Sequence, residues 1–155
     1  MRKEIRSTII SIVFLFSIYL LSFLGSNIDI EIYSFNSFDF LLLLSVFIQI
    51  LFFIPSYLLK TERLYDLVGS STYIVVTTIA YLSVPNKSVT DTILFLFISI
   101  WGIRLGTYLF RRILRDNDDV RFEKAKKNFF WFLQYWIGQA LWVSITSCAA
   151  VIAIL

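Results

Sequence analysis

Residues 40–59 read FLLLLSVFIQILFFIPSYLL, a run that contains no charged residue. A helix of that length rises about 30 Å, which matches the hydrocarbon thickness of a membrane. Large apolar side chains would occupy every face of the run, whereas a strand of a membrane β-barrel alternates apolar and polar residues. The run therefore predicts a transmembrane helix.

Similar runs account for most of the remaining chain. Of 155 residues, 58% are hydrophobic and 16% are charged, whereas about a quarter of a soluble domain is charged. We therefore predict an all-α, polytopic transmembrane helix bundle with about five spanning helices, forming a single transmembrane domain over residues 1–155. The predicted spans are residues 7–28, 40–59, 67–86, 92–110 and 128–155.

The distribution of Lys and Arg predicts the orientation of the bundle. Twelve of these residues fall before the first span, between the second and third spans, and between the fourth and fifth, whereas the opposite loops hold only Lys87. Because cytoplasmic loops collect Lys and Arg, the N-terminus is predicted to be cytoplasmic. The basic excess adjoins the membrane, so we interpret it as contact with the lipid bilayer and expect no nucleic-acid partner.

The composition also limits the available chemistry. The chain has no histidine, and its single cysteine, Cys148, lies inside a predicted span. Imidazole acid–base catalysis and an intramolecular disulfide are therefore excluded, and we predict no metal site.

A basic stripe runs from the fourth span into the following loop. Arg104, Tyr108, Arg111 or Arg112, and Arg115 are spaced by three and four residues, which places them near one helix face. Such a stripe could bind the phosphate of a nucleotide or a lipid, or could anchor the helix by snorkelling. We favour anchoring for the last three arginines. For Arg104, which lies about two turns deeper, we predict a buried partner.

A second polar cluster lies between the second and third spans. Glu62, Tyr65 and Asp66 have the spacing of one helix face, where a carboxyl or phenol could protonate a substrate carbonyl. Alternatively, Asp66 could cap the next helix, and Glu62 could pair with Arg63 or Arg104. We favour the structural interpretation. A third charged segment, residues 116–124, has the composition of a solvated loop.

Four ordered motifs between residues 60 and 143 resemble the domain-of-unknown-function 1295 group, within the steroid 5-alpha-reductase-like membrane proteins. The motifs are Thr61-Glu62-x-x-Tyr65-Asp66-x-x-Gly69; Trp101-x-x-Arg104-Leu105-Gly106 with Arg112; Asp119-x-Arg121-Phe122-Glu123; and Trp136-x-x-Gln139-Ala-Leu-Trp142-Val.

The resemblance implies an activity that the composition alone does not. Superfamily members with known activity use NADPH to reduce a carbon–carbon double bond conjugated to a carbonyl, in steroids or other lipids. The resemblance makes Glu62, Tyr65 and Asp66 the candidate catalytic residues. The candidate cofactor-binding residues are Arg104, Arg112, Asp119 and Arg121.

The chain also departs from the superfamily pattern. Full-length relatives continue through further helices, which carry an Arg-His-Pro-Asn-Tyr-like element and most of the cofactor site. We therefore expect this chain to correspond to the N-terminal half, to work with a downstream half or partner subunit, and to be inactive alone. The alternative is a non-catalytic membrane scaffold, or a lipid-binding or assembly module.

Overall fold

The computed structural model describes residues 2–32, 34–116, 119 and 121–155. The described chain is an all-α bundle, as predicted. Its helices are α1 (Arg2–Ser22), α2 (Ser37–Leu58), α3 (Tyr65–Ser83), α4 (Val89–Asp116) and α5 (Phe129–Ile154).

Four of these helices, α1, α2, α4 and α5, are long and apolar enough to cross a membrane. Helix α3, predicted as a fifth span, is more polar because Ser and Thr recur along it; it lies inside the bundle against α2, α4 and α5. Some of its hydroxyls bond within the helix: Ser70 donates to the carbonyl of Asp66, and Thr72 donates to that of Val68, whereas the buried Thr77 hydroxyl has no hydrogen-bond partner among the described residues. The structure is therefore a helical membrane bundle with a polar helix at its centre.

The connection between α1 and α2 differs most from the predicted boundaries. Helix α1 ends at Ser22 rather than near residue 28, and a 3-10 turn over Phe23–Gly25 follows it. Strands β1 (Glu31–Ile32) and β2 (Phe35–Asn36) then form a two-residue antiparallel hairpin. The side chain of Asn36 accepts from the backbone N–H of Phe38 at 2.9 Å and so caps α2. This cap starts α2 three residues before the predicted span.

The basic segments meet at one end of the bundle, which we call the basic end. It contains the start of α1, the α2–α3 turn and the α4–α5 loop. Asn128 Nδ2 donates to Glu4 Oε1 at 3.0 Å, and Lys126 Nζ lies 3.0 Å from Glu62 Oε2. Successive helices therefore run in opposite directions, which brings the three segments rich in Lys and Arg to the same end, as predicted. The cytoplasmic location of this end stays a prediction.

Two apolar clusters form the core, and polar contacts lie between them. The cluster near the basic end includes Phe53, Phe122, Phe132 and Trp136. The other lies toward the opposite end and contains Phe38, Leu41, Ala80, Ala140 and Val151 among its buried members. Between them, Ser45 and Ser144 are joined by a 2.9 Å hydrogen bond, and Gln49 donates to Thr72 at 3.0 Å. These buried polar bonds connect α2 to α5 and to α3.

Helix α4 has the most exposed surface of the apolar helices. It packs mainly against α3, and its other side exposes Phe97, Ile100 and Tyr108 by 60% or more. Large apolar side chains in this position suit a lipid-facing surface. Helix α4 borders two adjoining cavities, and Trp101 and Leu105 line both of them.

Candidate functional site

An ion-pair network joins α3, α4 and the α4–α5 loop at the basic end. The guanidinium of Arg112 lies 3.0 Å from Asp66 and 3.9 Å from Asp119. Arg121 Nε donates to both carboxylate oxygens of Asp119, at 3.0 and 2.9 Å, and its Nη2 lies 4.0 Å from Asp66. Three of the four predicted cofactor residues are therefore brought together, but each arginine already faces carboxylates.

Asp119 gives the network a dependence on pH. The hydrogen bond from Arg121 holds the pKa of the Asp119 carboxyl below its usual range. A carboxyl whose pKa is lower in the folded state stabilises the fold above its unfolded pKa, near 4, and loses that contribution as pH falls through the folded pKa. The Arg121 side chain is 54% exposed, so solvent screening limits the contribution to below about 1 kcal/mol.

Asp119→Asn should therefore unfold with a shallower pH dependence than the wild type between about pH 5 and pH 2. Thermal unfolding in detergent, followed by circular dichroism, measures this difference. Asp29→Asn, at an exposed carboxyl of the opposite end, is the control and should follow the wild-type curve. Superimposable curves for Asp119→Asn and the wild type would show that the Asp119–Arg121 bond does not stabilise the fold.

Glu62 lies in the turn before α3 and is 4% exposed. Its carboxylate accepts from the Asp119 N–H at 3.0 Å and pairs with Lys126 at 3.0 Å. The predicted pairing with Arg63 or Arg104 is therefore wrong. Many basic side chains follow Glu62 in the sequence, and the one that pairs with it, Lys126, lies 64 positions away.

The predicted single helix face for Glu62, Tyr65 and Asp66 is also wrong, because α3 begins only at Tyr65. Asp66 lies in the first turn, where a carboxylate suits the helix dipole. It makes no capping bond, since the N-cap position is occupied by Leu64 without a side-chain hydrogen bond.

Tyr65, the candidate proton donor, is fixed against α5. Its hydroxyl donates to the backbone carbonyl of Tyr135 at 3.0 Å, and its own carbonyl accepts from Gln139 Nε2 at 3.1 Å. Gly69 makes room for this contact, because a Cβ there would overlap the Gln139 amide. In this arrangement the Tyr65 proton is directed at the protein backbone.

A cavity of about 600 Å³, which we call the α3–α5 cavity, opens beside these residues. Its polar lining includes Tyr65, Asp66, Arg121 and Gln139. Aromatic and aliphatic residues form the rest; they include Phe14, Tyr73, Trp101, Leu105, Leu109 and Trp142. An apolar cavity with a few convergent polar groups is the common form of a small-molecule site.

A second, open groove of about 940 Å³ follows α4, and we call it the α4 groove. It is lined by Trp101, Arg104, Leu105, Thr107, Tyr108, Arg111, Arg112 and Arg115. Arg104 is exposed there and makes no hydrogen bond or ion pair with any part of the chain that the structure describes. The predicted buried partner is thus wrong, because α4 turns Gly102 and Gly106, not Arg104, toward α3.

The α4–α5 loop is less solvated than its composition indicated. Phe122 is 1% exposed and packs between Tyr65 and Tyr135, with ring centroids 4.8 and 4.9 Å apart. Asn117, Asp118 and Val120 belong to the same predicted loop and lie outside the described residues. Apolar anchoring by Phe122 therefore places Asp119 and Lys126 over Glu62.

Sequence reasoning overlooked two features of this region. The pair Gly102 and Gly106 lies where α4 meets α3, and two glycines four residues apart in an apolar run could have indicated it. Lys126 gave no such signal, since it is one of several basic residues in its loop. Within the described ranges, no three carboxylate or thiol side chains converge to form a candidate metal site.

Comparisons with known proteins place the chain in a family. The family model described as "Protein of unknown function (DUF1295)" matches residues 52–155, which include the α2–α3 turn, the ion-pair network and α5. No curated protein and no solved structure matches the chain. Since the match covers the last 104 of 155 residues, the chain belongs to the DUF1295 family.

Proposed function

We propose that this protein is a lipid-binding membrane module with the ancestry of steroid 5-alpha-reductase-like enzymes. The α3–α5 cavity is the observation that carries the proposal. It combines an apolar wall, which includes Trp101 and Trp142, with the polar groups of Asp66, Arg121 and Gln139. Such a cavity suits a steroid-like or other lipid that has one oxygen-bearing end.

The polar part of the cavity retains hydrogen-bonding capacity. Gln139 Oε1 has no hydrogen-bond partner among the described residues, although Nε2 of the same amide is engaged. This oxygen is buried in the cavity wall, so it would accept from a ligand hydroxyl once the amide turned toward the cavity. Tyr73 and Thr146 join their hydroxyls farther along the wall, between α3 and α5. The oxygen-bearing end of the lipid is therefore assigned to the Gln139 end of the cavity.

The reductase resemblance suggests a reaction, reduction of a double bond conjugated to a carbonyl, which requires a group that polarises the carbonyl. Glu62 is engaged with Lys126 and the Asp119 N–H, and the Tyr65 proton is directed at Tyr135. Neither group points a free proton at the cavity. This chain by itself is therefore proposed to lack reductase activity.

The residues expected to bind NADPH lead to the same proposal. Arg112 and Arg121 are paired with Asp66 and Asp119, and these carboxylates would repel a phosphate. Of the four candidate cofactor residues, Arg104 alone has no ion-pair partner among the described residues, and it lies in the α4 groove instead. The described residues do not fit a dinucleotide, so NADPH binding is proposed to require a downstream half or partner subunit.

Binding of a radiolabelled enone steroid to the purified chain in detergent tests the proposal. Leu109 lines the α3–α5 cavity, so Leu109→Trp should fill it and weaken saturable binding at least about tenfold. Leu43→Trp is the matched control, because Leu43 is 62% exposed on α2 and should leave binding unchanged. Absence of saturable binding, or equal effects of the two variants, would overturn the cavity assignment.

The same preparation tests the enzymatic alternative. NADPH added together with the steroid should show no protein-dependent loss of absorbance at 340 nm and no reduced product. Steady NADPH oxidation coupled to steroid reduction would instead show that the chain is a complete reductase. In that case the non-catalytic proposal fails, even if Leu109→Trp blocks binding.

A further inference from the structure

The side of α4 that faces away from α3 carries an arginine at membrane depth. Helix α4 has 28 residues, so it rises about 42 Å, whereas the hydrocarbon layer is about 30 Å thick. Arg111 and Arg115 lie near its end at the level expected for headgroups. Arg104 precedes Arg111 by seven residues, which places its Cα about 10 Å deeper.

An arginine at that depth is stabilised by pairing with an anion. An intramembrane charge is costly unless it pairs or reaches the interface. Arg104 has no partner in the described part of the chain, and none of the residues that line the α4 groove is acidic. Asp66 and Asp119 cannot supply the charge, because both are committed to Arg112 and Arg121. The anion must therefore come from outside these residues.

The surroundings of Arg104 identify the source of that anion. Trp101 and Tyr108 lie three residues before it and four after it, are 47% and 67% exposed, and line the same groove. Tyr108 lies on the interface side of Arg104, where exposed Tyr is characteristic, and Trp101 lies about one turn deeper, toward the apolar part of the groove. A guanidinium binds a phosphate through two parallel hydrogen bonds, which a lysine cannot do. Basic, aromatic and lipid-facing features together match a phospholipid headgroup rather than a soluble anion.

We propose that the α4 groove is a binding site for an anionic phospholipid, whose phosphate lies between Arg104 and Arg111 and whose acyl chains follow the apolar side of α4. This site shares Trp101 and Leu105 with the α3–α5 cavity, but Arg104 and Arg111 line only the groove, and the proposal does not depend on the function proposed for the cavity. The lipid phosphate neutralises Arg104 at a depth that water reaches poorly.

Native mass spectrometry of the detergent-solubilised chain with two short-chain lipids tests this site. Dioctanoyl phosphatidic acid and dioctanoylglycerol share their acyl chains and differ in the phosphate. The phosphatidic acid should bind at least about tenfold more tightly. Arg104→Gln and Arg111→Gln should each weaken its binding by about fivefold or more and leave dioctanoylglycerol unaffected.

Two controls separate this site from general basicity and from the cavity. Lys124→Gln removes an exposed charge of the basic end outside the groove and should leave phosphatidic acid binding unchanged. Leu109→Trp, which narrows only the α3–α5 cavity, should preserve the preference for phosphatidic acid. Equal binding of the two lipids, or equal losses in Arg104→Gln and Lys124→Gln, would overturn the site. Competition by millimolar inorganic phosphate or NADPH would overturn the lipid as its occupant.

Discussion

Replacing Glu62 with alanine should lower the free energy of unfolding by about 3 kcal/mol, because it breaks a buried ion pair from one side. Glu62 is almost fully buried, and its carboxylate serves both the Lys126 ammonium and the Asp119 N–H. The Lys126 side chain is only 16% exposed, so water replaces the lost carboxylate poorly. Thermal unfolding in detergent should show a decrease in Tm of several degrees.

A graded set of variants separates the charge of Glu62 from its hydrogen bonds. Glu62→Gln keeps an oxygen for the Asp119 N–H and should lose about half as much stability. Combining Glu62→Gln with Lys126→Gln should lower the free energy of unfolding by less than the sum of the two single changes. The second change removes the ammonium group whose carboxylate partner the first change replaced. Glu123→Ala, at an exposed carboxylate of the same loop, should alter stability by less than about 0.5 kcal/mol.

The result also bears on the catalytic role that the family resemblance suggested for Glu62. A residue that holds the α2–α3 turn to the α4–α5 loop should affect stability whether or not a substrate is present. If Glu62→Ala unfolds like Glu123→Ala, the carboxylate does not hold the two segments together. Its burial would then require another explanation, and the catalytic hypothesis would regain weight.

The architecture was predictable where it depends on composition. Uncharged runs such as residues 40–59, apolar on every face, indicate helices, because a single segment satisfies its own backbone hydrogen bonds in lipid only as a helix. Helix α3 is the most polar of the predicted spans: Ser70 and Thr72 bond to carbonyls of their own helix and Thr72 also accepts from Gln49, so the centre of the bundle tolerates these hydroxyls. The start of α2 was misplaced by three residues because the Asn36 cap depends on local turn geometry rather than hydrophobicity.

The sequence motifs single out most of the polar residues that meet at the basic end, but they do not predict which of these residues bond to each other. The motifs single out Glu62, Tyr65, Asp66 and Asp119, and the structure brings them to one end of the bundle. Each pairing depends on the tertiary fold: Tyr65 bonds to a backbone carbonyl 70 positions away, which no side-chain pattern encodes. Their catalytic and cofactor-binding roles stay predictions.

Enlarging Gly106 should disrupt the bundle as severely as breaking the Glu62 pair. Gly102 and Gly106 are buried where α4 crosses α3. A Cβ at Gly106 would overlap Ser70 Oγ, and a Cβ at Gly102 would lie 2.9 Å from Ile74 Cγ1. Small residues four apart allow helix backbones to approach closely in a membrane. Gly106→Leu should therefore destabilise the protein by about 3 kcal/mol and reduce the yield of folded monomer.

Because the overlap at Gly106 is chiefly with one hydroxyl, a compensating change can identify its cause. Gly106→Ala should cost about 1 to 3 kcal/mol, and adding Ser70→Ala should recover part of that loss, since the Ser70 Cβ lies 3.2 Å from the new methyl position. Thr107→Leu, at the exposed neighbouring position, controls for added bulk on α4 and should leave the Tm nearly unchanged. Tm values from unfolding in detergent, together with gel-filtration profiles, compare the wild type, Gly106→Ala, the double variant and Thr107→Leu.

Equal losses of stability in Gly106→Ala with and without Ser70→Ala would mean that α4 does not depend on this close approach to α3. Recovery in the double variant would show that the fit of Gly106 against Ser70 holds α4 at its position on α3, and so sets where the two cavities lie.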